Sequence, residues 1–359
     1  EMFDRLISFL GDPASPLSLP ARAAFGVGAD FAIWALVAIA ALSRLGAVAV
    51  LMPPDGDLAE ATRLGGIVEL ITDPTHLDAA RRLPVQVLVL GGGESRDLNL
   101  GDNDDVIDME RIDPDAVTLP GWYRPNPGYA RDLAFVAFNT VGGELVAKQI
   151  TNYRWALSAF GTASAAALSS GDTVYCLTPL HHQSGLLVAV GGAVVGGARI
   201  ALSRGLKPER FVQELRQYGV TVVSYTWAML RDVIDDPAFV LHGHHPVRLF
   251  IGSGMPTGLW QRIVEEFAPA KIVEFFATTD GQAVLANVAG VKVGSKGRPL
   301  PGGGQVLLGV VADQVTHRGA DHSQEQHREQ HLGDGQAGQL RQTAAANDCN
   351  HECSRKKLS

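Results

Sequence analysis

Cysteine is scarce: Cys176, Cys349 and Cys353 are the only three in 359 residues. Three thiols cannot make a disulfide framework for a chain of this length, which points to a reducing compartment and a cytoplasmic protein. Charge is thin as well. Asp, Glu, Lys and Arg together make up 19% of the chain, so a sizeable buried core is expected rather than disorder. Positive charge is not in excess: the formal net charge of −8 excludes the basic surface that a nucleic-acid partner requires. An unbroken membrane-length apolar run is also missing. The nearest candidate, Phe31 to Met52, approaches the roughly 20 residues of a span but is divided by Arg44 and Gly46. It reads instead as a buried helix ending near Gly46 and a buried strand from Ala47 to Leu51. No signal peptide is evident, and the chain opens on Glu1.

What the chain does have is glycine, at 40 residues, and short apolar runs that recur with helical segments between them. That alternation predicts an α/β fold of stacked, largely parallel sheets with covering helices. Strands are expected at Ala47–Met52, Gly66–Thr72, Val85–Leu90, Leu133–Phe138, Thr173–Leu177, Arg199–Leu202, Val220–Tyr225, Arg248–Gly252 and Lys271–Phe276. Helices are expected at Phe31–Leu45, Leu58–Leu64, Tyr153–Ala167, Gly185–Val195, Pro208–Tyr218 and Thr257–Phe267. Asp113 to Ala130, rich in proline, glycine and aspartate, reads as a long loop. The length accommodates a first α/β subdomain over 1–130 and a second over 131–308. From 309 to 359 the chain turns polar, with Gln, His and Gly replacing large apolar residues. Such a tail cannot offset its ordering entropy and is expected to be disordered. His327, His331 and the run Cys349-x-His351-x-Cys353 do not reproduce a four-ligand zinc spacing. A translation-frame change would also produce a tail so unlike the sequence before it.

The segment from Phe135 to Thr151 runs from an apolar strand into a small-residue loop and then into a polar stretch carrying Lys148. Glycines let backbone N–H groups approach an anion and a lysine can neutralise it, so Thr140, Gly142, Gly143 and Lys148 are candidates for holding a phosphate. The competing reading is a tight glycine turn between two strands with a solvated lysine.

Four segments taken in order resemble the adenylate-forming superfamily, most closely its acyl-CoA synthetases and fatty-acyl-AMP ligases. The loop just described is similar to the family's T-S-G-T-T-G-x-P-K-G run. Leu177-Thr-Pro-Leu-His-His-Gln-Ser-Gly-Leu186 resembles P-L-F-H-x-x-G-L, and Ile251-Gly-Ser-Gly-Met-Pro256 resembles the glycine-rich turn that lies against adenine. Phe275-Phe-Ala-Thr-Thr-Asp-Gly281 is similar to Y-G-x-T-E, and Gly294-Ser-Lys-Gly-Arg-Pro-Leu-Pro-Gly302 to G-S-x-G-R-P-L-P-G. The resemblance covers residues 20 to 308.

The resemblance implies ATP, Mg²⁺ and coenzyme A as cofactors and a fatty acid or other acyl carboxylate as substrate. It places His182 near the acyl pocket and phosphates, and Gly252, Ser253, Gly254, Met255 and Pro256 against the nucleotide. Phe276 stands for the family's stacking tyrosine, Thr279 for a donor to a phosphate oxygen, and Asp280 for the glutamate associated with magnesium. Departures are equally plain. Aligned on Thr151, the loop puts Val146 where the family has its lysine, and Lys148 lies two positions late. Nothing after Val311 resembles the later domain that supplies a ribose-binding aspartate and a catalytic lysine. The expectation is an acyl-CoA ligase homologue that is weak or inactive alone, with a partner chain as one source of the missing part. The alternatives are a non-catalytic nucleotide-binding or docking module and a truncated gene product.

Overall fold

The computed structural model describes residues 24–299, apart from 29–31, 54–55, 92–97, 101–104, 117–122, 127, 203–206, 238, 242, 278–283, 289, 291 and 296. The element order is β1 (Ala24–Gly28), α1 (Ala32–Leu45), β2 (Val48–Leu51), α2 (Leu58–Gly65), β3 (Glu69–Thr72), α3 (Leu77–Ala80), β4 (Gln86–Val89) and β5 (Ile107–Asp108). A hairpin of β6 (Leu133–Val141) and β7 (Glu144–Thr151) then leads into α4 (Asn152–Ala165) and β8 (Thr173–Cys176). A π-helix (Ser184–Val190) runs directly into α5 (Gly191–Gly196), followed by β9 (Arg199–Leu202), α6 (Pro208–Gln217), β10 (Val222–Thr226) and α7 (Trp227–Ile234). The last described elements are β11 (Leu249–Ser253), α8 (Thr257–Glu266), β12 (Lys271–Ala277), β13 (Val284–Asn287) and β14 (Arg298–Pro299).

These strands form two 7-stranded sheets, ordered β5-β4-β3-β1-β2-β6-β7 and β14-β13-β12-β11-β10-β8-β9. All neighbours are parallel except β6 with β7, β12 with β13 and β13 with β14. The expected architecture of stacked, largely parallel sheets is what the chain adopts. Because β6 pairs with β2, the hairpin completes the first sheet, and the second sheet begins only at Thr173, well past residue 131.

Alternation along the strands sorts side chains into layers. Between the sheets lies one core that joins Ala49, Leu51, Phe135, Ala137 and Ile150 to Val174, Cys176, Val222, Ile251 and Val273. Ala38 and Leu42 of α1 and Leu186, Leu187 and Val190 of the π-helical stretch fill that layer. On the far side of the first sheet, Val48, Val50, Val136 and Phe138 pack on Ala61, Leu77 and Ala80 of α2 and α3. On the far side of the second, Tyr175, Val223, Tyr225, Phe250 and Ile272 pack on Phe211, Leu230, Trp260 and Ile263 of α6 to α8. Both faces of each sheet are therefore covered, which is why its strands read as continuous apolar runs.

The ambiguous stretch from Phe31 to Met52 resolves into α1 and β2. Gly46 separates them at φ +72, and a Cβ there would sit 2.9 Å from the Asn126 carbonyl oxygen, so no other residue closes this turn without strain. No described helix is long and apolar enough to cross a membrane.

The amino ends of the second sheet are stapled by one carboxylate. Asp172, just before β8, accepts hydrogen bonds from Thr221 Oγ1 at 2.7 Å and from Arg248 Nε at 2.8 Å and Nη2 at 3.0 Å. Thr221 and Arg248 immediately precede β10 and β11, so the staple sets the start of three parallel strands. The Arg248 guanidinium, with help from Thr221 and the Ser169 N–H, holds the Asp172 carboxyl well below the usual carboxylate range.

Candidate functional site

Ligands of open parallel sheets bind beyond the carboxyl ends of the strands, the edge opposite this staple. Four loops or turns meet that edge in the second sheet: the segment after β8 carrying His182, the start of α7 at Trp227, the glycine turn after β11, and the end of β12.

The glycine turn is fixed from beneath. Glu274, on β12 and paired in register with Gly252, is buried and accepts from the Gly254 N–H at 3.2 Å, the Met255 N–H at 3.0 Å and the Tyr225 hydroxyl at 2.7 Å. Burial raises the Glu274 pKa, and the three hydrogen bonds oppose that rise by favouring the charged form. Tyr225, itself buried beside this carboxylate, has its pKa raised well above the ordinary value, first by desolvation and then by the neighbouring charge. The Tyr225 ring also explains Gly252: a Cβ there would lie 2.7 Å from Cε2 and 2.4 Å from the Tyr225 carbonyl oxygen. Gly252 is thus used inside the fold. Met255 is core as well, 4% exposed, and contributes only its backbone to the turn. Ser253 is half-buried, and Gly254 and Pro256 are exposed and available to a ligand. Gly254 sits at φ +79 with the indole of Trp227 alongside, 3.0 Å from where a Cβ would be. Arg231 lies over that indole at 4.8 Å. Phe276 is half-buried and shares the Glu274 face of β12.

His182 sits at the surface of the loop between β8 and the π-helix. Its Nδ1 lies 2.7 Å from Ser184 Oγ and receives the Ser184 backbone N–H at 3.2 Å. A backbone N–H can only donate, so Nδ1 is the acceptor and the neutral ring carries its proton on Nε2. The protein crowding the ring lowers its pKa by desolvation, in the same direction. Thr178, two residues beyond β8, has a buried Oγ1 with no hydrogen-bond partner among the described residues. A π-helix following this loop is itself unusual, since such turns cluster at functional sites.

The phosphate-loop candidates are not brought together. β6 and β7 close through Gly142 and Gly143 alone, at φ +61 and +88, the backbone of a type I′ hairpin turn. The tight glycine turn is what the chain forms. Lys148 stands opposite Ala137, on the face that carries Phe135 and Ile150 into the central core. Thr140 stands opposite Leu145, on the other face with Phe138 and Ala147. With a side-chain period of 2, these two residues cannot meet one anion.

Thr279 and Asp280 lie outside the described residues, as do the tail from 309 to 359 and its histidines. No cluster of three or more His, Cys, Asp or Glu side chains suited to a metal ion occurs among the described residues.

The family model described as AMP-binding enzyme matches residues 144–317, beginning just after the hairpin turn. Residues 144–317 thus match an AMP-binding domain of the adenylate-forming superfamily. It is 31% identical over 205 residues to the medium/long-chain-fatty-acid–CoA ligase FadD6 of Mycobacterium tuberculosis, over 55% of this chain and 34% of that protein. It is 29% identical over 194 residues to long-chain fatty acid transport protein 1 of Bos taurus, over 53% of this chain and 30% of that protein. The matched region thus spans about a third of the length of these curated relatives. Among solved structures, a long-chain-fatty-acid–CoA ligase from Archaeoglobus fulgidus superposes with a TM-score of 0.65 at 17% identity, covering 83% of this chain and 61% of that one. At that identity the likeness establishes the fold. The AMP-binding domain is thereby fatty-acid–CoA ligase-like in sequence and in architecture.

Trp227 and Glu274 went unrecognised in the sequence. Glu274 does carry a signal, a lone acid inside the apolar run Ile272-Val-Glu-Phe-Phe276. Trp227 carries only its place two residues after the predicted strand Val220–Tyr225.

Proposed function

We propose that this AMP-binding domain holds an acyl-adenylate, or the nucleotide part of one, at the carboxyl edge of the second sheet and forms adenylate weakly or not at all by itself. In the chemistry implied by the family, a fatty-acid carboxylate attacks the α-phosphate of ATP, pyrophosphate leaves, and the thiol of coenzyme A then displaces AMP. What a protein adds to such a step is positioning and charge stabilisation. The observation that carries the reading is the hairpin: its two-residue turn has no room for a phosphate cradle, and Thr140 and Lys148 project from opposite faces. Each preorganised donor lost from a site of this kind costs about 10²–10³ in rate. Magnesium, which would neutralise the phosphates, is assigned in this reading to Asp280 alone.

At the nucleotide end the residues suit the ligand better. Gly254 offers an exposed, side-chain-free backbone beside half-buried Ser253, with Trp227 as its aromatic neighbour and Phe276 half-buried on β12. Neutral His182 would donate Nε2–H to an acyl carbonyl or phosphate oxygen. Binding without turnover is the form of this reading in which the domain serves a partner chain that supplies the catalytic lysine.

The test pairs two assays on the purified chain. A non-hydrolysable acyl-adenylate analogue is expected to raise the melting temperature with concentration, as mass action requires. Gly254→Val is expected to abolish that shift, whereas Lys148→Met leaves it unchanged. Pyrophosphate release from ATP and a fatty acid is expected to be slow or undetectable. Release at a complete enzyme's rate, on the order of 1 s⁻¹ or more, would overturn the reading. A cooperative melt unmoved by saturating analogue would equally overturn it, and the absence of any transition would indicate a product that does not fold.

A further inference from the structure

The turn that leads into α8 carries two backbone N–H groups, of Gly254 and Met255, that lie just before the N-cap Pro256 and could receive an anion as a nest does. In this protein both are already occupied, by the two oxygens of one carboxylate. Glu274 Oε2 takes the Gly254 N–H at 3.2 Å, and Oε1 takes the Met255 N–H at 3.0 Å together with the Tyr225 hydroxyl at 2.7 Å. The carboxylate is buried and reaches the turn from the neighbouring strand, so it is part of the scaffold and not a group that leaves when a ligand arrives. Two consequences follow. The turn cannot act as a phosphate nest, because its donors are consumed. Its conformation, including the φ of +79 at Gly254, is also set before any ligand binds.

We propose that Glu274 is a positioning residue that clamps the Ser253–Met255 turn into the shape presented to the nucleotide, with Tyr225 holding Glu274 in place. The inference rests on the reading of this turn as an adenylate site. Preorganisation of this kind raises affinity by removing the ordering that a ligand would otherwise have to impose. Removing the carboxylate frees the turn while leaving β11 and β12 paired.

The experiment uses the full chain and the variants Glu274→Gln and Tyr225→Phe. Calorimetry measures affinity for AMP and, separately, for a fatty acid alone, and amide exchange by NMR reads Gly254 and Met255. Glu274→Gln keeps the size but loses the charge and replaces one accepting oxygen by an NH2 that cannot receive a backbone N–H, and it is expected to weaken AMP binding roughly tenfold or more. It should also speed exchange at Gly254 and Met255, while amides of Phe250 and Ile272 keep their protection. Tyr225→Phe, which removes one supporting donor, is expected to weaken AMP binding about threefold or less. Fatty-acid affinity should not change in either variant. A general loosening of the fold would lower both affinities together and overturn the assignment, as would unchanged exchange or unchanged AMP affinity in Glu274→Gln. Failure of the unaltered chain to bind AMP would instead strike the adenylate reading itself, and the two failures are told apart by which protein shows them.

Discussion

Glu69 is a buried carboxyl with a missing partner, and replacing it by glutamine should make the protein more stable in a pH-dependent way. The residue lies on β3 in the middle of the first sheet, is 8% exposed, and its Oε2 has no hydrogen-bond partner among the described residues. Burial alone pushes its pKa up, with no compensating cation. In the unfolded chain a glutamate titrates near 4.3. Below that value the group is neutral in both states and costs nothing through its charge. As pH rises through the elevated folded value, the native state must carry an unsolvated charge, and stability is lost until titration is complete. An unpaired buried group of this kind costs about 1–3 kcal/mol. In a domain of about 150–250 residues 1 kcal/mol moves the melting temperature by about 2–4 °C, and a longer chain such as this one moves towards the lower end of that range. Glu69→Gln is therefore expected to melt several degrees above the unaltered protein at pH 8, with the difference vanishing towards pH 4. Paired scanning-calorimetry or fluorescence melts at pH 4, 6 and 8 decide it. A gain of equal size at pH 4 and pH 8, or none at pH 8, would refute the assignment of the cost to charge burial.

The staple at the opposite end of the second sheet behaves with the reverse sign. Because Arg248 depresses the Asp172 pKa, its contribution is present above about pH 4 and lost as pH falls through the folded value, so Asp172→Asn should flatten the acid side of the stability profile. Its cost at pH 7, read from urea melts, is expected to be about 2–3 kcal/mol, below the roughly 3–5 of a fully buried pair because the guanidinium is 41% exposed. At the hairpin tip, Gly142→Val should cost about 1–2 kcal/mol, since the strain is purely conformational and nothing lies within 4 Å of the added Cβ. Gly142→Asn should be nearly neutral in the same melts, because asparagine tolerates positive φ. Cys176 is buried and its thiol is pushed up to about 12 by desolvation, so native protein at pH 8 should resist iodoacetamide at this position until it is unfolded, as peptide mapping would show.

Much of the architecture was readable because most strands are covered on both faces and leave continuous apolar runs. Thr173–Cys176 and Leu249–Ser253 are examples, found within a residue of expectation. β1 escaped notice because Ala24-Phe-Gly-Val-Gly28 carries two glycines and no apolar run. β7 entered only through the competing reading of a glycine turn between two strands, because Glu144 to Thr151 mixes Lys148 and Gln149 into its apolar positions, as an edge strand with an exposed flank can. Its recognition decides the phosphate question, since only a strand puts Lys148 and Thr140 on opposite faces. The helix expected from Gly185 to Val195 is present but opens in the π form, which no local propensity announces. Motif resemblance pointed to the glycine turn and to His182. It could not distinguish Gly252, whose open side is filled by Tyr225, from Gly254, whose backbone is exposed. That distinction depends on a ring 27 residues away in sequence, which pattern reading cannot place.

The hairpin has a consequence for how the chain acquires its structure. Nearly every other strand pair in the two sheets is parallel and joins residues far apart in sequence, the kind of contact that forms slowly. β6 and β7 are joined by only two residues, and hairpins of this type close in about 1–10 μs. β6 also carries Phe135 and Ala137, which sit in the layer shared by both sheets. The segment that has no cradle for a phosphate is therefore the piece best suited to form early and to serve as the template on which β2, and through it the rest of the first sheet, is laid down.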